Sequence, residues 1–161
     1  MLDGDWDVDV QPLGAVAKIR FCEDHWTAGT PWSETGAIEH MHRLIEARGR
    51  AVDGCQDRSD IVARYRRLDR IFQQVEGDRR LMAHCERAPG AFREVDGIYM
   101  HFDRRGRPIF GLGGCHRLAI ARIVGLEEIP VQVGVVHRQA IDRWEATARR
   151  GSRSIGRREW A

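Results

Sequence analysis

Apolar side chains recur along this chain at different spacings, and each spacing predicts a kind of element. Trp6, Val8 and Val10 alternate with Asp7 and Asp9, a period of two that predicts a half-buried strand ended by Pro12. Val16, Ile19, Phe21, Cys22 and Trp26 follow at a looser helical spacing, so a short helix is expected over residues 15–25, before the Gly29, Thr30, Pro31 break. Ile38, Met41, Leu44 and Ile45 recur at steps of three and four. They predict a second helix that starts around Trp32 and Ser33, with the Ser33 hydroxyl as its cap, and stops at Gly49. The cleanest stripe, Ile61, Tyr65, Leu68, Ile71, Phe72 and Val75, predicts a helix that starts near Ser59, whose hydroxyl can cap it, and ends before Gly77. Its other face holds Arg64, Arg66, Arg67, Asp69 and Arg70 and reads as solvated. Leu81 and the residues to Arg87 add a helical turn, and Pro89 with Gly90 punctuates.

The C-terminal third has another texture. Two apolar runs, 98–102 and 108–112, flank the turn-like Asp103, Arg104, Arg105, Gly106, Arg107 and predict a hairpin. Gly113 and Gly114 lead into Leu118, Ile120, Ala121, Ile123 and Val124, a helix with Gly125 as its stop. The β-branched run from Ile129 to Val136 then has strand length. Strand, strand, glycine loop, helix, strand is an α/β (α+β) pattern: a small mixed sheet with helices.

At 161 residues the chain predicts one domain, and 42% hydrophobic with 31% charged residues predicts a folded one. No apolar run reaches the length of a membrane span, and residues 1–9 are acidic where a secretory signal would be basic and then apolar. A soluble, cytoplasmic protein without a membrane partner is expected. Cys22, Cys55, Cys85 and Cys115 form no C-x-x-C pair, so no disulfide framework is expected. The net charge is only +2, but nearly all the basic residues are arginine and Lys18 is the sole lysine. Asp3, Asp5, Asp7 and Asp9 open the chain, and Arg143, Arg149, Arg150, Arg153, Arg157 and Arg158 crowd its end. Such a tail can touch nucleic acid or stay solvated, and nucleic acid is not the favoured partner.

The residues that carry chemistry lie at the strand-to-helix junction Gly113, Gly114, Cys115, His116, Arg117. A helix start presents backbone N–H groups to an anion, glycines let a phosphate approach, and Arg117 adds a charged fork to its oxygens. The same glycines are also ordinary turn chemistry. A thiol at this position, Cys115, would have its thiolate favoured, or it is a small buried filler. His40 and His42, at i and i+2 on a helix, point apart, and His25, His84 and Cys85 add no telling spacing, so no metal site is expected. Trp26 and Trp32 read as core packing or a loop anchor before a ring-stacking site.

The stretch from Phe110 through Gly113, Gly114, Cys115, His116 and Arg117 to Gly125 and the Ile129, Pro130, Val131 strand resembles the nucleotide-binding segment of the ParB/sulfiredoxin superfamily. The resemblance spans roughly residues 95–137. It implies a ParB/sulfiredoxin-like domain over residues 1–138, enlarged by a helical insertion at about 15–90 and followed by a C-terminal helix and Arg-rich tail over 139–161. Gly113, Gly114, Cys115, His116 and Arg117 would then hold the phosphates of ATP or ADP, or of another nucleoside triphosphate, together with Mg2+. The leading expectation is a phosphoryl-transfer enzyme acting on a small metabolite, with Glu34 as the suggested catalytic base. A sulfiredoxin-like reductase with Cys115 as catalytic nucleophile is one alternative, and a non-enzymatic nucleotide- or nucleic-acid-binding regulator is another. Lys18 and the residues after it do not reproduce the lysine-and-hydroxyl segment of sulfiredoxins. Partition proteins of the superfamily add helix-turn-helix regions after this domain, so DNA recognition of that kind is not expected here.

Overall fold

A computed structural model of the chain describes residues 1–88, 90 and 97–149. Pro89 and the tail arginines from Arg150 onward lie outside the described residues. Within them the chain is mixed α/β. The elements in order are α1 (Ala17–Trp26), α2 (Ala37–Arg48), α3 (Arg58–Asp78), α4 (His84–Arg87), β1 (Ile98–Phe102), β2 (Pro108–Phe110), α5 (Cys115–Val124), β3 (Val131–Val136) and α6 (Arg138–Arg149). They form two compact units interleaved in sequence. The sheet unit takes Met1–Ala15, the described part of Met82–Gly114 and residues 130–149. The helical unit takes Val16–Leu81 and Cys115–Ile129, so it comprises most of the expected insertion together with α5.

In the sheet unit the strand order is β2-β1-β3. β1 runs antiparallel to β2, with Met100 opposite Phe110, and parallel to β3, with Ile98 opposite Val131. Ile98 and Met100 face the core at 0% and 4% exposure. The hairpin turn is built on Asp103, whose carboxylate accepts the N–H groups of Arg105 and Arg107, both at 2.8 Å, and Arg107 Nε at 2.7 Å. Burial opposes ionisation of Asp103, but these donors outweigh it and hold the carboxyl below its usual range.

The alternation over residues 6–10 does not form a strand. Asp7 is the buried member, while Val8 and Val10 are 64% and 50% exposed. Arg104 is the cause. Its backbone N–H donates to Asp7 Oδ2 at 2.8 Å, and its guanidinium reaches Asp7 Oδ1 through Nη2 at 2.6 Å. A bidentate ion pair outweighs two exposed valines in setting which residue turns inward. The hydrogen bonds from Arg104 hold the Asp7 carboxyl far below the usual carboxylate range. It is Leu2 that pairs with the sheet unit's last stretch, bridging in parallel to His137.

In the helical unit α5 packs against α1 and α3, and α2 packs against α3. The apolar positions of α5 explain this: Leu118, Ala119, Ile120, Ala121 and Val124 are all buried. Two helix starts differ from expectation. α2 begins at Ala37, four residues past Ser33, and the hydroxyl that receives its first N–H is that of Thr35 at 3.2 Å. α3 is capped by Asp57, which accepts the Asp60 N–H at 3.0 Å; Ser59 donates its own hydroxyl to Asp57 instead. A carboxylate two residues earlier is the better acceptor for the first N–H groups of the helix.

The solvated reading of the α3 polar face holds for Arg66, Arg67 and Arg70 but not for Arg64 and Asp69, which are half-buried. Asp69 Oδ1 receives Trp26 Nε1 at 3.1 Å and Trp32 Nε1 at 2.9 Å, and His25 Nε2 lies 3.1 Å away. Trp26 stacks on Phe72 at 4.7 Å and Trp32 on His25 at 4.0 Å. The tryptophan faces are thus covered by the protein's own rings, with Asp69 satisfying their indole donors.

Candidate functional site: the first turn of α5

Gly113 and Gly114 belong to the sheet unit, and their glycine identity has a cause there. A Cβ at Gly113 would lie 3.0 Å from Tyr99 Cβ, and one at Gly114 would lie 2.5 Å from Gly97 O. Gly114 also has φ +72, in the left-handed region. Close approach of β1 requires these glycines whether or not a phosphate is present. Gly113 O also accepts the Tyr99 N–H at 3.1 Å, which ties this stretch to β1.

α5 opens at Cys115 in the helical unit, with His116 and Arg117 in its first turn, where backbone N–H groups have no acceptor within the helix. Cys115 and Arg117 are half-buried. Burial raises the Cys115 thiol above its ordinary value, against the positive charge of Lys18 and the thiol's own backbone N–H, while Asp53 adds to the rise. The expected thiolate is therefore not favoured: at this helix start the loss of water outweighs the thiol's own backbone N–H and the nearby ammonium. His116 is 7% exposed. Its ring meets Tyr65 edge-on at 5.9 Å, and its Nε2 is buried with no hydrogen-bond partner among the described residues. Burial first, then the charges of Arg64 and Lys18, lower its pKa to about 4, so the imidazole is neutral at pH 7.

Three residues that the sequence reading did not bring to this site, Lys18, Asp53 and Arg64, act by their charge on His116, two of them from the helices that pack against α5. Lys18 Nζ, from the start of α1, donates to Asp53 Oδ2 at 2.6 Å. Arg64, from α3, places Nη2 at 3.7 Å from the same oxygen and donates Nη1 to the Asp53 carbonyl at 2.9 Å. Burial works against the Asp53 carboxylate, but Lys18 and Arg64 more than offset it and hold its pKa below the usual value. Two signals for this group were present in the sequence: a lone lysine, and an Asp-Gly dipeptide of the kind that makes tight turns. Arg64 had none, being one arginine among several on its helix.

The other residues singled out from sequence lie elsewhere. Glu34 is exposed in the turn before α2, its N–H bonded to Pro31 O at 2.8 Å, and the carboxylate whose charge acts on Cys115 is Asp53. Cys22 is fully buried, and burial first pushes its thiol up to about 12. Cys55 is buried and Cys85 exposed. Among the described residues no helix is long and apolar enough to cross a membrane, and no three His, Cys, Asp or Glu side chains converge as a metal site.

The arrangement therefore offers two cations from different helices, a shared carboxylate and the first turn of an apolar helix. Chemically it can neutralise and orient a multiply charged oxyanion. No protein-family model, curated protein or solved structure matches the chain.

Proposed function

We propose that the chain is a nucleotide-binding protein of ParB/sulfiredoxin-like type whose α5 first turn takes the phosphates of ATP or ADP in a phosphoryl transfer to a small metabolite. The observation that carries this reading is the meeting of Lys18 and Arg64 at Asp53, with the charges of both reaching His116 in that turn. Two cations against one carboxylate leave an excess positive charge, and the α5 dipole has the same sign at this end. Phosphate oxygens answer both.

Phosphoryl transfer asks the protein mainly to position and neutralise charge. Lys18 supplies a compact ammonium, Arg64 and Arg117 supply guanidinium groups, and the backbone N–H groups of the first turn supply direction. The residues fit a nucleotide's phosphates in charge and donor type. Mg2+ would supply further charge neutralisation when bound. Asp53 is already engaged by Lys18 and Arg64, so phosphate oxygens and water would be its main ligands. The raised Cys115 thiol favours this reading over a reductase that needs a ready thiolate.

A thermal-shift panel of ATP, ADP, CTP and GTP with Mg2+, run on wild type and Arg117→Ala, tests the proposal. ATP or ADP at a hundred times its dissociation constant should stabilise wild type by about 3 kcal/mol, and the variant should need much higher concentrations. A flat panel for wild type would remove the reading.

A further inference from the structure

We propose that Asp53 is a positioning residue that holds Lys18 and Arg64 in place for a phosphate-type anion at the first turn of α5. This rests on the reading that the turn takes phosphates, and adds the device that arranges its cations.

Asp53 sits on a tight turn. Val52 N–H bonds to Cys55 O at 3.0 Å and Cys55 N–H to Val52 O at 2.9 Å. Between them Asp53 has φ +51 and Gly54 φ +79, two consecutive left-handed residues of the kind a primed turn requires. Aspartate tolerates this conformation better than most residues do. Val52 and Cys55 are 3% and 2% exposed, so the turn is anchored on both sides. The carboxylate is therefore offered from a fixed backbone, whereas Lys18 and Arg64 are long side chains with many rotamers.

Both cations converge on it. Asp53 takes Lys18 through its side chain and Arg64 through side chain and carbonyl, which draws groups from α1 and α3 to one point. That point is carried by the two helices that pack against α5, and Tyr65, the residue after Arg64, meets the His116 ring edge-on at 5.9 Å; the charges of Arg64, Lys18 and Asp53 accordingly act on His116, and that of Lys18 on Cys115. An independent observation indicates that a ligand belongs here. His116, more than nine-tenths buried, has an Nε2 without a partner among the described residues, and Arg64 Nε is likewise buried and unpartnered. Buried donors and acceptors in native proteins are nearly always satisfied, so unsatisfied ones beside two cations suit an oxyanion rich in acceptors.

A positioning carboxylate and a mere countercharge differ in the sign of their effect on anion binding. Removing the Asp53 charge raises the local excess from one positive charge to two, which alone would tighten anion binding. A positioning residue gives the reverse. The experiment titrates inorganic tripolyphosphate into the full chain by calorimetry for wild type, Asp53→Asn, Lys18→Met and the double variant. Asparagine keeps the turn's left-handed residue tolerable and removes only the charge. Asp53→Asn should bind about tenfold more weakly than wild type, and in the Lys18→Met background it should add at most about half of that loss in free energy. Equal or tighter binding by a folded Asp53→Asn overturns the positioning role and leaves the phosphate reading intact. No binding by wild type overturns both. Should Asp53→Asn fail to fold, reductive 13C-methylation of wild type labels Lys18 and the chain's amino terminus alone. The Lys18 methyl signal should then shift and saturate with tripolyphosphate, and an unmoved signal overturns the proposal.

Discussion

The imidazole of His116 is buried against Tyr65 and carries its neutral form down to about pH 4. The unfolded chain would protonate the same ring near 6.5, so between these values the unfolded state binds more protons than the folded one. Stability should be fully present above about pH 6.5 and fall as the pH drops toward about 4. Chemical-denaturation midpoints across this window should slope for wild type and flatten for His116→Phe. A His116 ring that titrates near 6.5 by NMR would refute the buried assignment. Asp7 acts in a separate, more acidic window: its lowered pKa adds stability above the unfolded carboxylate range that is lost as the pH falls below about 4. Arg104→Ala should weaken that acid limb and leave the His116 window in place. At Cys115 the expected outcome is that Ser keeps nucleotide stabilisation within about twofold, because burial has already made the thiol a poor thiolate. Of these residues the sequence names Cys115, His116 and Arg117, since a glycine-to-helix junction is a local pattern. It could not reveal Lys18, Asp53 and Arg64 as a group, because they come from α1, a turn and α3 and meet only through tertiary packing.

Elements were more legible than their ends. α5, the β1–β2 hairpin and β3 follow directly from apolar spacing and from glycines at their limits. The 6–10 alternation misled because period two records only that apolar and polar residues take turns, not which set is buried; Arg104, almost a hundred residues away, settled that in favour of Asp7. Caps misled at Ser33 and Ser59 for a related reason, since neighbouring residues compete for the same N–H groups and the winner depends on backbone geometry. At the other end of α5, Arg79 donates to the carbonyls of Val124 and Gly125, which closes the helix with a positive charge where the dipole is negative. Arg79→Ala should cost about 1–2 kcal/mol, and Leu118→Ala, at a position 2% exposed, about 2–5 kcal/mol. Equilibrium urea unfolding reads both. A Leu118→Ala change with no measurable cost would mean that α5 is not packed as described.

At the level of the whole molecule, the helical unit is assembled from two separated stretches, Val16–Leu81 and Cys115–Ile129. The first includes α1 and α3, which pack against α5 from the second. A fragment of residues 16–81 alone should therefore show low helicity and no cooperative melt by circular dichroism, because the apolar faces that α5 covers would meet water. A fragment that melts cooperatively by itself would show that α5 is dispensable to that core. Anion capture at the first turn of α5 is read by amide NMR of the 15N-labelled full chain during a titration with ATP and Mg2+. Saturable shifts of the Cys115, His116 and Arg117 backbone N–H signals are expected, reproduced by tripolyphosphate alone. Unchanged signals for these three amides at saturating nucleotide, or shifts confined to other residues, would contradict anion capture there.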